Sequence, residues 1–181
     1  MPQRRAHGVR YVTDERLGEG TVGAFSVATN LVLKEIGVEP FWRSGFSDWN
    51  RIHEHARGLI RRNDIRTPSE KTPVGRLSGG NIQKVLLARE LDAEASVAVF
   101  NKPTYGLDLQ NTRLAHDRIL ASAEGGMAIV VVSTDLDELL EICDRIAVMF
   151  QGRLAGIVEN APDVERQVGL LMTGAGGERA A

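Results

Sequence analysis

The apolar positions change period along the chain, and the changes predict its elements. From Gly8 to Val12 a short β-compatible run leads into a polar, glycine-punctuated stretch, Thr13 to Gly23, that reads as a loop. Ser26 is placed to cap a helix in which Val27, Asn30, Leu31 and Lys34 follow at helical spacing, and Gly37 with Pro40 ends it. A second helix starts near Ser47 or Asp48, where Trp49, Ile52, Ala56, Leu59 and Ile60 make an apolar stripe with a period of about 3.6. Residues 63–76 are polar and contain Pro68 and Pro73, a linker into a helix that Ser78 opens.

Beyond that helix the pattern is different. Ser96 to Phe100 and Met127 to Val132 are continuous apolar runs of strand length, as expected for strands covered on both faces. A weakly patterned helix from about Leu109 to Ala121 separates them. Leu136, Leu139, Leu140 and Cys143 sit at i, i+3, i+4 and i+7, an amphipathic helix. Arg145 to Phe150 and Arg153 to Glu159 flank Gln151-Gly152, which predicts a β-hairpin. A short helix over 162–172 then precedes a Gly/Ala tail. The order strand, helix, strand, helix, hairpin predicts an α/β fold with a helical insertion ahead of it.

Composition narrows the class. The 181 residues are 43% hydrophobic and 25% charged, ordinary for a globular domain. A formal charge of −2 and a pI near 6.1 lack the basic footprint of a nucleic-acid binder, so no nucleic-acid partner is expected. The single Cys143 reads as a small buried hydrophobe. No apolar stretch approaches the roughly 18–20 residues of a spanning helix. His53 and His55 lie two apart on a helix and point to different sides, with no carboxylate or cysteine cluster beside them, so no metal site is expected. His7 and His116 read as structural or surface residues.

The chemistry is concentrated downstream of residue 76. In Leu77-Ser78-Gly79-Gly80-Asn81-Ile82-Gln83-Lys84 a serine caps a helix whose first turn holds two glycines, so backbone N–H groups stay uncovered and a partial positive charge points outward. An ordinary N-cap, worth about 1 kcal/mol, is the plainer alternative. The stretch resembles the LSGGQ-type signature loop of ABC ATPases, and Ala88-Arg89-Glu90 matches the helix behind it. The resemblance implies that Ser78, Gly79, Gly80, Asn81 and Gln83 meet the nucleotide in trans. That ATP would be gripped by the Walker A loop of a different nucleotide-binding half.

Further matches follow in the expected order. Residues 96–108, with Pro103-Thr104-Tyr105-Gly106-Leu107-Asp108, are similar to the Walker B strand and D-loop, which places Asp108 at the D-loop position. The acidic pair usual there is replaced by Asn101 and Lys102. An amide lacks the charge that orders Mg²⁺, and a lysine ammonium has no lone pair to accept a proton. Residues 129–138 resemble the switch segment, with Thr134 where a histidine is usual. A hydroxyl donates one bond but carries no imidazolium charge. The catalytic positions are therefore degenerate.

The sequence contains no G-x-x-x-x-G-K-[ST] loop to cradle phosphates, so ATP and Mg²⁺ are expected only through a partner half. Residues 7–16, built on Tyr11-Val12-Thr13-Asp14-Glu15-Arg16, and Gly169-Leu170-Leu171-Met172-Thr173-Gly174 are similar to the second nucleotide-binding half of simple-sugar and nucleoside importers, a half often degenerate. That likeness implies that Thr13, Asp14, Glu15 and Arg16 face an integral membrane permease, with a solvated charged loop as the alternative. The expected fold is an α/β partial P-loop NTPase domain with a helical signature subdomain, lacking the P-loop strand and helix. Expected divisions are 1–90, 91–160 and 161–181. The expected place is cytoplasmic, peripheral on the inner face of the cell membrane. A truncated remnant, or an interaction module without a nucleotide role, is the competing reading.

Overall fold

The structure, a computed structural model, describes residues 7–92 and 95–174; the Gly/Ala tail expected beyond them lies outside the described residues. The chain forms two compact units, Met1–Val132 and Ser133–Ala181. Within the first unit β1 (Val9–Val12) lies parallel to β4 (Val97–Asn101), so strand pairing binds residues before position 90 to residues after it.

In the first unit the sheet order is β1-β4-β5, with β5 spanning Ala128–Val132 and all pairings parallel. Val12, Ala98 and Phe100 are buried on its covered face. Ahead of the sheet's second strand comes the helical part. Ser26 caps α1 (Val27–Leu31), which passes into a 3-10 turn at Leu33–Glu35. A short antiparallel ribbon pairs β2 (Trp42–Arg43) with β3 (Phe46–Ser47). Asp48 caps α2 (Trp49–Arg62), and Ser78 caps α3 (Gly79–Leu91). Their apolar faces meet in one core that includes Val27, Leu31, Phe41, Ile52, Leu59, Val74, Ile82 and Val85. Each such side chain contributes roughly 1.5–3 kcal/mol on full burial. Asp108 then caps α4 (Leu109–Glu124), longer than its weak apolar pattern suggested.

A buried polar knot fixes the far end of α3. Glu90 is fully buried between Arg89 Nε at 2.8 Å and Lys34 Nζ at 2.6 Å. Arg89 also donates to the carbonyls of Gly20, at 2.9 Å, and Asn30, at 3.3 Å. A buried carboxylate is tolerated only with such partners. The knot anchors the loop after β1 to the helix that carries the glycine-rich turn.

One expectation fails in this unit. The run ending at Val132 is not covered on both faces: Ala128, Val130 and Val132 are exposed. Among the described residues of its unit, β5 has β4 on one side only, so its outer edge and one face have no layer above them.

The second unit holds α5 (Leu136–Ile142), the hairpin β6 (Arg145–Phe150) and β7 (Arg153–Glu159), and α6 (Val164–Met172). Ile146, Val148, Val164 and Val168 form its core. Gln151 and Gly152 both have positive φ, 47° and 76°, the backbone that a two-residue hairpin turn requires. Cys143 is half-buried at the C-cap of α5 rather than within its apolar stripe, because the helix stops at Ile142. Burial pushes its thiol pKa up, and Asp144 and Glu138 add to the shift.

Candidate functional site

Ser78 has extended backbone (φ −65°, ψ 156°) and turns the chain into α3. Its Oγ accepts from the side-chain amide of Asn81 at 2.9 Å and, at a longer 3.5 Å, from the Asn81 backbone N–H. Both bonds are accepted ones, so the hydroxyl proton is left to donate. Ser78 and Gly79 are exposed, and first-turn amides of a helix have no intrahelical partner. The other end of the Asn81 amide accepts from the Arg66 backbone N–H at 2.7 Å, which ties the turn to the preceding linker.

Gln83, in the second turn of α3, is drawn into the protein. It is 2% exposed, and its amide nitrogen donates to the Pro103 carbonyl at 2.8 Å. Its amide oxygen accepts from Arg16 Nε at 3.0 Å. Its burial and these two bonds make it a support behind the turn.

The loop after β1 is likewise turned inward in part. Thr13 is buried and donates to Glu19 at 3.0 Å. Asp14 accepts from the Asn101 amide at 2.8 Å. Arg16 reaches Gln83 and the Tyr105 carbonyl. Of the four residues expected to face a membrane subunit, Glu15 alone is exposed. Burial lowers the Arg16 guanidinium pKa from its ordinary value, against the upward pull of Asp14 and Glu15.

At the end of β4, Asn101 is thus occupied by a carboxylate rather than offering one. Lys102 takes a left-handed backbone (φ 44°), donates its N–H to the Val132 carbonyl at 2.8 Å, and carries its ammonium 6.0 Å from the Tyr105 ring centroid. Asp108 is exposed and caps α4: its carboxylate accepts from the Asn111 backbone N–H at 2.9 Å and the Asn111 amide at 2.8 Å. These bonds hold its pKa below the usual carboxylate value. Asn111 also stands against Gly80, where an added Cβ would lie 2.5 Å from its amide nitrogen. Thr134 is an exposed residue of the second unit, just before the α5 cap Asp135. Among the described residues, no three His, Cys, Asp or Glu side chains group as a metal site.

Sequence reasoning missed two parts of this arrangement. Asn111 was findable, since it stands three residues after a helix-capping aspartate. The Arg16–Gln83 bond spans 67 positions and leaves no local signal.

Comparison with known proteins defines the lineage. No family model matches the chain. It is 37% identical over 166 residues to the nucleoside import ATP-binding protein NupA of Lactococcus lactis subsp. cremoris, covering 92% of this chain and 33% of that protein. It is 33% identical to the guanosine import ATP-binding protein NupO of Bacillus subtilis, with the same two coverages of 92% and 33%. The chain belongs to the ABC transporter ATP-binding family. It spans about a third of the length of these curated relatives. Among solved structures, the post-hydrolysis dimer of the ATP-binding cassette MJ0796 bound to ADP and Pi superposes with a TM-score of 0.67 at 19% identity, over 84% of this chain and 63% of that one. The ADP conformation of the cassette MJ1267 gives 0.66 at 19%, over 94% and 66%. Those likenesses establish the fold: a partial α/β ABC ATPase domain with a parallel sheet and helices. No helix among the described residues is long and apolar enough to cross a membrane.

Proposed function

We propose that this chain acts as a nucleotide-binding half of a sugar or nucleoside importer, donating its signature turn to ATP and Mg²⁺ held by a partner half that carries a P-loop. Its own chemistry is degenerate. The reading is carried by one observation: Ser78 offers an unspent hydroxyl proton beside exposed Gly79, at a helix end whose amides have no intrahelical partner. Ser78, Gly79 and Gly80 form the lid over the γ-phosphate, and Asn81 holds Ser78 in place. Asp108 belongs to the surface that meets the partner half. Glu15 is the residue of the 13–16 loop that meets the permease, and the complex sits on the cytoplasmic face of the membrane.

Asn101 and Lys102 argue that hydrolysis is not performed at this chain's own positions. Asn101 is neutral and already bonded to Asp14, and the Lys102 ammonium cannot take a proton from water. The names of the two relatives support import of a nucleoside, and the likeness of residues 7–16 and 169–174 to simple-sugar and nucleoside importers leaves a sugar as the other solute class.

The test is reconstitution with a P-loop-bearing half and a permease. The purified chain alone should show no ATP hydrolysis, and Ser78→Arg, which fills the lid with a long side chain, should abolish turnover of the complex. Unchanged turnover in that variant rejects the reading.

A further inference from the structure

A single side chain joins the loop after β1 to the signature turn. Arg16 donates from Nε to Gln83 Oε1 at 3.0 Å and from Nη2 to the carbonyl of Tyr105. Gln83 carries the link onward, donating to the Pro103 carbonyl at 2.8 Å. The third guanidinium nitrogen, Nη1, lies 3.5 Å from where a side chain on Gly79 would begin. One planar group therefore lies beside the first turn of α3, bonds its second turn, and bonds the segment that leads to Asp108.

The base of this side chain is itself fixed. The Arg16 carbonyl accepts from Thr21 Oγ1 at 2.7 Å, and Thr21 is buried. The Gly20 N–H donates to the Glu15 carbonyl at 2.9 Å. A guanidinium presents its donors in a rigid fork, so its base cannot shift without either losing an acceptor or carrying both acceptors with it. A lysine, with one mobile ammonium, lacks that property.

We propose that Arg16 is a positioning residue: with Gln83 it forms a strut that holds the signature turn and residues 103–108 in fixed register with the 13–16 loop. A displacement at exposed Glu15 is delivered through it to Gly79 and to the segment before Asp108 together. The purpose of the strut rests on the function proposed above; its existence does not.

Amide hydrogen exchange on the full purified chain tests it without nucleotide or partner. Arg16→Ala should raise exchange about tenfold or more at Ile82, Tyr105 and Leu107, the effect of losing hydrogen bonds to a charged group. Residues 52–59 of α2 should be unchanged. Arg16→Lys should not restore protection, although it keeps the charge. Arg16→Ala combined with Gln83→Leu should exchange no faster than the more affected single variant, because both cut the same strut. Arg16→Met keeps the stem without donors and is the second variant should alanine disturb packing. Unchanged exchange at the three amides, full restoration by lysine, or an equal rise across 52–59 in both the alanine and methionine variants overturns the proposal. Such a result leaves the signature-turn reading standing, and failure of the Ser78→Arg test leaves the strut standing.

Discussion

Gly80 shows how little freedom the signature turn has at the level of one atom. A Cβ there would stand 2.5 Å from the Asn111 amide nitrogen, and that amide is held by Asp108 at 2.8 Å, so it cannot simply swing aside. Two effects oppose each other in Gly80→Ala. Replacing glycine within a helix gains about 0.5–1 kcal/mol, whereas forcing a methyl into a filled site typically costs about 1–3 kcal/mol. The clash should win, lowering stability by about 1–2 kcal/mol in urea unfolding. With Asn111→Ala as the background, the obstacle is gone and the same substitution should become neutral or stabilising. The same sign and size in both backgrounds would show that Asn111 is not the constraint.

At the level of elements, Asp108 makes the start of α4 sensitive to acid. Its pKa is held below the ordinary value chiefly by the Asn111 backbone N–H, then by the Asn111 amide. A carboxylate with a depressed folded-state pKa adds stability that is present above the unfolded value and disappears as pH falls through the folded one. Protection of the Asn111 amide, taken as its exchange relative to the intrinsic rate at each pH, should therefore fall below the ordinary carboxylate range. Asp108→Asn, an equally good N-cap without a charge, should remove that pH dependence; an unaltered pH profile in the variant would place the acid response elsewhere.

The same local physics explains what was legible in the sequence. Ser26 and Ser78 were readable as helix starts, and a start at Ser47 or Asp48 was too, because a cap bonds its own neighbours, as Ser26, Asp48 and Ser78 do here. Gln151-Gly152 was readable as a hairpin for the same reason. Gln83 was not readable as scaffold. On α3 the residues from Val85 to Glu90 are all buried, together with Ile82 and Gln83, so polarity no longer reports which face meets solvent. Thr13 and Arg16 were assigned to a contact loop by the likeness to importer halves; their hydrogen-bond partners at Glu19, Gln83 and Tyr105 are set by packing that no local pattern records.

For the whole molecule, β5 is the exposed apolar element through which self-association can be tested. The sequence Ala128-Ile129-Val130-Val131-Val132 is apolar throughout, yet Val130 is 49% and Val132 50% exposed, and β4 is its partner on one side. An apolar strand with an open edge is a template for pairing with another chain, and natural proteins blunt such edges with charge. This strand carries none. Val130→Lys should therefore reduce self-association, read as lower light scattering and a smaller sedimentation coefficient at raised concentration. Because the position is half in water already, the unfolding midpoint should change by no more than about 0.5 kcal/mol equivalent. A strand covered on both faces would behave oppositely, since burying an unpaired ammonium there costs several kcal/mol and the variant would unfold. Association that the lysine leaves untouched, or that the unsubstituted chain does not show, would rule the edge out as a pairing surface. A lysine that unfolds the chain would show instead that Val130 lies in a core, and the open-edge account of β5 would fall with it.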